Sequence, residues 1–141
     1  MNSLKKIKEW LNTFTSFNEQ EQVDCQYIRQ FLEEEPNLLL RDNVKMHFTA
    51  SAWVLNPSKD KVLMLYHNIY QSWSWSGGHA DGEGDLLSVA MKEVKEESGL
   101  VSLKPLSDPP ISIEILGVQP HYKKQKYVSA HLHLNYTFLL H

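Results

Sequence analysis

Between residues 128 and 138 every second side chain is apolar. Val128, Ala130, Leu132, Leu134, Tyr136 and Phe138, followed by Leu140, alternate with Ser129, His131, His133, Asn135 and Thr137. A period of two lays these residues on the two faces of a strand, and so long a strand needs a sheet to belong to. The chain stops at His141, directly after it. An apolar strand at an open sheet edge exposes both surface and backbone, which predicts a chain continuing past His141 or a partner covering that edge, a second copy of this chain included.

Other segments supply sheet partners. Residues 47–55 are rich in Thr, Ala, Trp and Val and read as a strand. After the turn at Asn56-Pro57-Ser58-Lys59-Asp60, residues 62–66 read as a second strand, so that the two form a hairpin. Residues 111–118 are a further strand. Ahead of the first strand, Leu4, Ile7, Trp10, Leu11 and Phe14 recur at helical spacing. Ser16 with Glu19 reads as a capping box opening a second helix, whose apolar stripe is Val23, Tyr27, Ile28, Phe31 and Leu32 and which Pro36 ends. Residues 1–40 are thus a helical extension, and 41–141 the main domain. As an addition to the catalytic core, the helices of residues 3–35 should be removable with metal binding preserved.

A third helix, from about Asp85 to Ser98, is the chemically informative element. Asp85 is placed to cap its start and Gly99 to end it in a left-handed conformation. At 100° per residue, Leu86, Leu87, Ala90, Met91 and Val94 share the core face. Glu93, Glu96 and Glu97 gather on an adjoining arc, and Lys92 and Lys95 point away. Glu93 and Glu97 are like charges at i,i+4, and all three acids lie toward the end where the helix dipole disfavours anions. A solvated acidic helix end is the plain reading. Hard divalent cations such as Mg²⁺ or Mn²⁺, bound to these oxygens, would reverse both penalties. The run Gly77-Gly78-His79-Ala80-Asp81-Gly82-Glu83-Gly84 in front is a glycine-rich approach, able to bring backbone close to a ligand.

The run from Gly77 to Leu100 closely resembles the signature of the Nudix hydrolases. Gly78 takes the first signature glycine, Glu93, Glu96, Glu97, Gly99 and Leu100 the invariant positions, and Val94 the apolar one. The resemblance implies an α+β fold, an α/β/α sandwich around a mixed sheet, here preceded by N-terminal helices and lacking the closing C-terminal helix. It implies a pyrophosphohydrolase of nucleoside diphosphates linked to another moiety, or of related diphosphates, dependent on Mg²⁺ or Mn²⁺. Glu93, Glu96, Glu97 and the carbonyl of Gly77 are the expected metal set. Lys92 replaces the signature arginine beside the catalytic glutamates, keeping charge but losing the planar fork. The spaced glutamate of the loop falls on Gly84, so Asp81 or Glu83 is expected to compensate. A noncatalytic nucleotide- or phosphate-binding domain, or an isomerase of allylic diphosphates, are alternatives on the same scaffold.

For substrate, the candidates are Gly78, His79, Asp81, Glu83, Trp73, Lys123 and Lys124. Trp73, Trp75 and Tyr70 offer stacking rings, or aromatic packing at a strand edge. Residues 121–127 hold three lysines, a basic patch that suits phosphate or an ordinary solvated hairpin. His131 and His133 read as solvated or hydrogen-bonded residues, with a metal pair as the alternative. A net charge of -3 and pI near 6.1 argue against broad nucleic-acid binding. The single Cys25 excludes an intramolecular disulfide framework, and no apolar run reaches the length of a signal peptide or membrane span. A cytoplasmic protein acting on a small phosphorylated molecule is expected.

Overall fold

A computed structural model describes residues 3–68, 71–106 and 108–141. Two helices, α1 (Lys5–Thr13) and α2 (Glu19–Glu34), precede the first strand, β1 (Met46–Val54). Then come β2 (Leu65–His67), β3 (Ser72–Ser74), β4 (Ser76–His79), α3 (Leu86–Ser98), β5 (Ser112–Val118), β6 (His121–Lys123), β7 (Lys126–Val128) and β8 (His131–Leu140). The main sheet is mixed and four-stranded, in the order β4-β1-β8-β5. β8 runs parallel to β1, while β4 and β5 are antiparallel to their neighbours.

Two expectations from the sequence change here. β8 is an interior strand: it pairs with β1 from Leu132 to Leu140 and with β5 from His131 to Thr137. Beyond β5, Lys104 and Leu106 extend that side by bonding to His141 and Leu139. The open apolar edge expected of the last strand is therefore not there. The expected 47–55 and 62–66 hairpin is reduced to a bridge between Leu55 and Val62, and β2 pairs with β3 instead. The basic run forms the hairpin β6–β7, turned by Lys124 and Gln125 at positive φ.

Register explains the core. Phe48, Ala50 and Ala52 of β1 lie on the face that carries Leu134, Tyr136 and Phe138 of β8 and Ile113 of β5, all buried. The helices pack on this face. Ile7, Trp10 and Leu11 of α1 are buried, and the Trp10 ring meets Tyr136 and Phe138 edge-on at 6.3 and 5.1 Å. Tyr136 donates from its hydroxyl to the Ile7 carbonyl. The buried acids of α2 serve the sheet edge: Glu21 accepts from the Ile113 amide and Asp24 from the Ile115 amide, pairing donors that an edge strand would leave free. The N-terminal helices thus share one hydrophobic core with the sheet.

The start of α2 differs from the sequence reading. Its cap is Asn18, whose side chain accepts from the Glu21 amide, while Glu21 accepts from the Phe17 amide. The cap sits two residues later than Ser16, and Glu21 reaches back one residue past it, a variant of the capping box. The third helix follows expectation, with Asp85 capping it and Gly99 ending it at φ 78°. Val89 joins Leu86, Leu87, Ala90 and Val94 in its buried face, and Met91 is only partly covered. No helix among the described residues is long and apolar enough to cross a membrane.

Candidate functional site

α3 lies against β4 and β1, and this places two of its acids on the glycine-rich strand. Ser76 and Gly78 share one face of β4 by the strand's alternation. Glu97 accepts a 2.7 Å hydrogen bond from the buried hydroxyl of Ser76. Glu93 rests over Gly78, so closely that a Cβ built on Gly78 would stand 2.6 Å from its Oε1 and 2.8 Å from its Cγ. Glycine is needed there for space, since its φ is not in the left-handed region. Burial, then the neighbouring charges of Glu97 and Glu96, push the Glu93 carboxyl above its ordinary range. Neither Glu93 nor Glu97 forms an ion pair among the described residues. Glu96 and Glu97 are both exposed, and Glu96 lies 3.9 Å from Lys92.

The loop acids expected to compensate for Gly84 are engaged elsewhere. Asp81 takes both arms of Arg41 in a bidentate pair at 2.9 Å, and that hydrogen bonding holds its carboxyl below the usual range. Glu83 accepts from the Asp85 amide, and Asp85, besides capping α3, meets Lys6 at 3.3 Å. The absence of a side chain at Gly84 has a steric reason: a Cβ there would overlap the Ser3 carbonyl oxygen. The N-terminal segment occupies the space a loop glutamate would need.

The opposite face of the sheet is polar. Thr49 donates to the Asn135 side-chain oxygen at 2.8 Å, Asn135 donates to Ser51 at 2.9 Å and to Thr137 at 3.1 Å, and Ser51 and Thr137 share a 2.8 Å hydrogen bond. All four are buried, and each finds partners in the others. Next to this ladder the register sets His47 beside His133, while His79 stands opposite Thr49. One ring nitrogen from each of His47, His79 and His133 falls within 4.8 Å of the others, a spacing that can hold a metal ion. His131 stands beside this group, its Nε2 hydrogen-bonded at 3.2 Å to that of His133.

Burial, followed by the Arg41 charge, lowers the His79 pKa to about 4. Burial, followed by the His79 and His47 rings, lowers that of His133 to about 3. Burial also lowers His47. The three rings are therefore neutral at physiological pH, the form that ligates metals.

His131 and His133 are hydrogen-bonded, as one reading of the sequence has them, and with His79 they gather around His47, which keeps the metal alternative in place and adds a residue not singled out from the sequence. A signal for it existed. His47, Thr49 and Ser51 repeat in β1 the polar alternation that His133, Asn135 and Thr137 make in β8.

The remaining candidates are dispersed. Trp73 is 65% exposed and edge-on to Tyr66, whereas Trp75 stacks on Trp53 at 5.7 Å. Lys123 and Lys124 lie on the β6–β7 hairpin and are exposed, with Lys123 within electrostatic reach of His79. Tyr70 lies outside the described residues.

No protein-family model matches this chain, and no curated protein matches it. Among solved structures it has a weak similarity to the crystal structure of C. elegans Ap4A hydrolase. The two are 20% identical over 65% of this chain and 67% of that one, with a TM-score of 0.38.

Proposed function

We propose that this chain is a Mg²⁺- or Mn²⁺-dependent hydrolase of diphosphate bonds, acting on a nucleoside diphosphate linked to another group or a related small molecule. One observation carries the reading. Glu93 and Glu97, one helical turn apart, are held on Gly78 and Ser76 with no ion pair among the described residues, and Glu93 is partly desolvated beside like charges. Such an arrangement is costly until a divalent ion joins it. The donor set fits a hard cation, with Glu93 and Glu97 as principal ligands, Glu96 as the outer carboxylate and the Gly77 carbonyl as a neutral oxygen. When bound, that ion supplies charge neutralisation of the phosphates and lowers the pKa of an attacking water.

The chain's own residues do the positioning. Ser76 fixes one Glu97 oxygen and leaves the other for the ion. Gly78, having no side chain, leaves the space that Glu93 fills. Lys92 balances the charge of Glu96 across one turn. Trp73, exposed on β3 just ahead of β4, is the ring left to meet a base, while Lys123, within electrostatic reach of His79, lies toward the histidine cluster rather than the carboxylates. His79 is better accounted for by the histidine cluster.

The test is product analysis over a panel of nucleotide sugars, dinucleotides, oxidised nucleotides and nucleoside diphosphates with Mg²⁺ or Mn²⁺. The reading expects a phosphate or monophosphate product, metal-dependent, with kcat/KM lowered about tenfold or more in Glu97→Gln. No product from the parent on any substrate contradicts it. A second reading, a binding domain on the same scaffold, is favoured by the commitment of Asp81 to Arg41 and of Glu83 to Asp85. Saturable binding without turnover is its outcome, and a product of unchanged mass would indicate isomerisation.

A further inference from the structure

We propose that His47, His79 and His133, with His131 as fourth donor, form a separate site for a borderline divalent ion such as Zn²⁺, on the sheet face opposite the carboxylate helix. The residues come from three adjacent strands, β4, β1 and β8, so the site exists only once the sheet is assembled. His47 is the anchor. It is 4% exposed, and its Nδ1 lies 3.0 Å from the Asn43 carbonyl. A carbonyl can only accept, so the ring hydrogen belongs on Nδ1 and Nε2 carries a lone pair. That Nε2 is buried and has no hydrogen-bond partner. An unsatisfied buried acceptor is disfavoured, and a metal ion would satisfy it.

His131 repeats the pattern: its Nδ1 lies 2.8 Å from the Ser129 carbonyl, leaving Nε2 to face inward. This is the arrangement in which a metal-bound histidine is oriented through its second nitrogen. The Nε2 atoms of His131 and His133 are 3.2 Å apart. Two nitrogens on a tetrahedral ion, each at about 2.0–2.1 Å, are separated by about 3.3 Å. The pair stands at a ligand–ligand spacing but shares a proton, which the Ser129 bond of His131 places on His133 Nε2, so metal binding takes the other neutral tautomer of His133 and draws together nitrogens now within 4.8 Å. Imidazole nitrogens suit Zn²⁺, Co²⁺, Ni²⁺ or Cu²⁺, and carboxylates suit Mg²⁺ or Mn²⁺. Four nitrogens leave no open position, which makes this a structural ion clamping three strands at the root of the glycine-rich loop.

The inference stands apart from the diphosphate reading, and its test uses no substrate. Tag-free protein stripped with chelator is titrated with ZnCl₂ in excess Mg²⁺ by calorimetry, with thermal unfolding followed in parallel. Unmutated protein and a Glu93→Gln/Glu97→Gln variant should each bind one equivalent and gain thermal stability. His79→Ala and His133→Ala should bind about tenfold or more weakly, by analogy with the loss of even a supporting residue at known sites. Absence of Zn²⁺ binding by unmutated protein, or equal affinity in both histidine variants, overturns the site. Should a histidine variant fail to fold, Co²⁺ bound to unmutated protein decides: intense visible bands of four-coordinate cobalt are expected, and the pale six-coordinate spectrum refutes the geometry.

Discussion

Gly78→Ala is a perturbation whose effect the structure resolves into two parts. The backbone of Gly78 is not in the left-handed region, so alanine brings no conformational strain. What its Cβ meets is the end of one side chain, with Glu93 Oε1 at 2.6 Å and Cγ at 2.8 Å. Ordinary carbon–oxygen contact requires roughly 3.5 Å, so the carboxylate must retreat by about 1 Å. Glutamate is flexible and this one is only half-buried, so the fold should absorb the change within about 1 kcal/mol. The proposed metal site should not. A ligand displaced by an ångström ceases to coordinate, and a tenfold loss in Mg²⁺ or Mn²⁺ affinity corresponds to about 1.4 kcal/mol. Calorimetric titration with Mn²⁺, alongside urea unfolding, separates the two quantities. Affinity should fall about tenfold or more while stability stays nearly level. Unchanged affinity in a folded Gly78→Ala protein would refute the argument that Glu93 serves as a ligand from its position over this glycine.

Gly84→Ala should destabilise by about 1–3 kcal/mol in urea, because its Cβ displaces the Ser3 carbonyl and loosens the start of α1; unchanged stability would show the contact to be dispensable. Trp10→Ala removes a ring packed on Tyr136 and Phe138 and should cost about 3–5 kcal/mol, read as a shifted urea midpoint. Metal-free protein should weaken in acid. His79 and His133 have folded pKa values of about 4 and about 3, below the ordinary 6.5 of an unfolded histidine. They contribute nothing above pH 6.5, and as pH falls from there the unfolded chain takes up protons that the folded one refuses. Stability should drop by on the order of 2 kcal/mol for the pair by pH 5, with solvent screening discounted, and level off below pH 3. A flat profile between pH 7 and 5 would contradict the burial of these rings.

Local features of the site were legible in the sequence, and long-range ones were not. The helix carrying Glu93 and Glu97 follows from its period of apolar residues, the cap at Asp85 and the left-handed Gly99, all within fifteen residues. The histidine cluster depends on β1 lying parallel to β8, a pairing of residues 86 apart such as Thr49 and Asn135. Alternation puts His131 and His133 on a polar face without saying what that face meets. The same pairing turned a strand expected at an edge into an interior one. Gly84 reads as a departure from a motif, and only the fold brings Ser3 to it. α1 and α2 look like an appendage because they precede the first strand, yet Glu21 and Asp24 finish the edge of β5 across 91 or 92 positions of chain.

The central claim is that Glu93 and Glu97 jointly hold a divalent cation, and Mn²⁺ binding followed by electron paramagnetic resonance tests it most directly. Zn²⁺ should first fill the histidine cluster so that only hard-oxygen binding is read. Unmutated protein is predicted to remove the free Mn²⁺ signal with saturable binding, and Glu93→Gln and Glu97→Gln each to weaken that binding about tenfold or more, with unchanged circular dichroism. Equal Mn²⁺ affinity in the parent and both variants would contradict the claim.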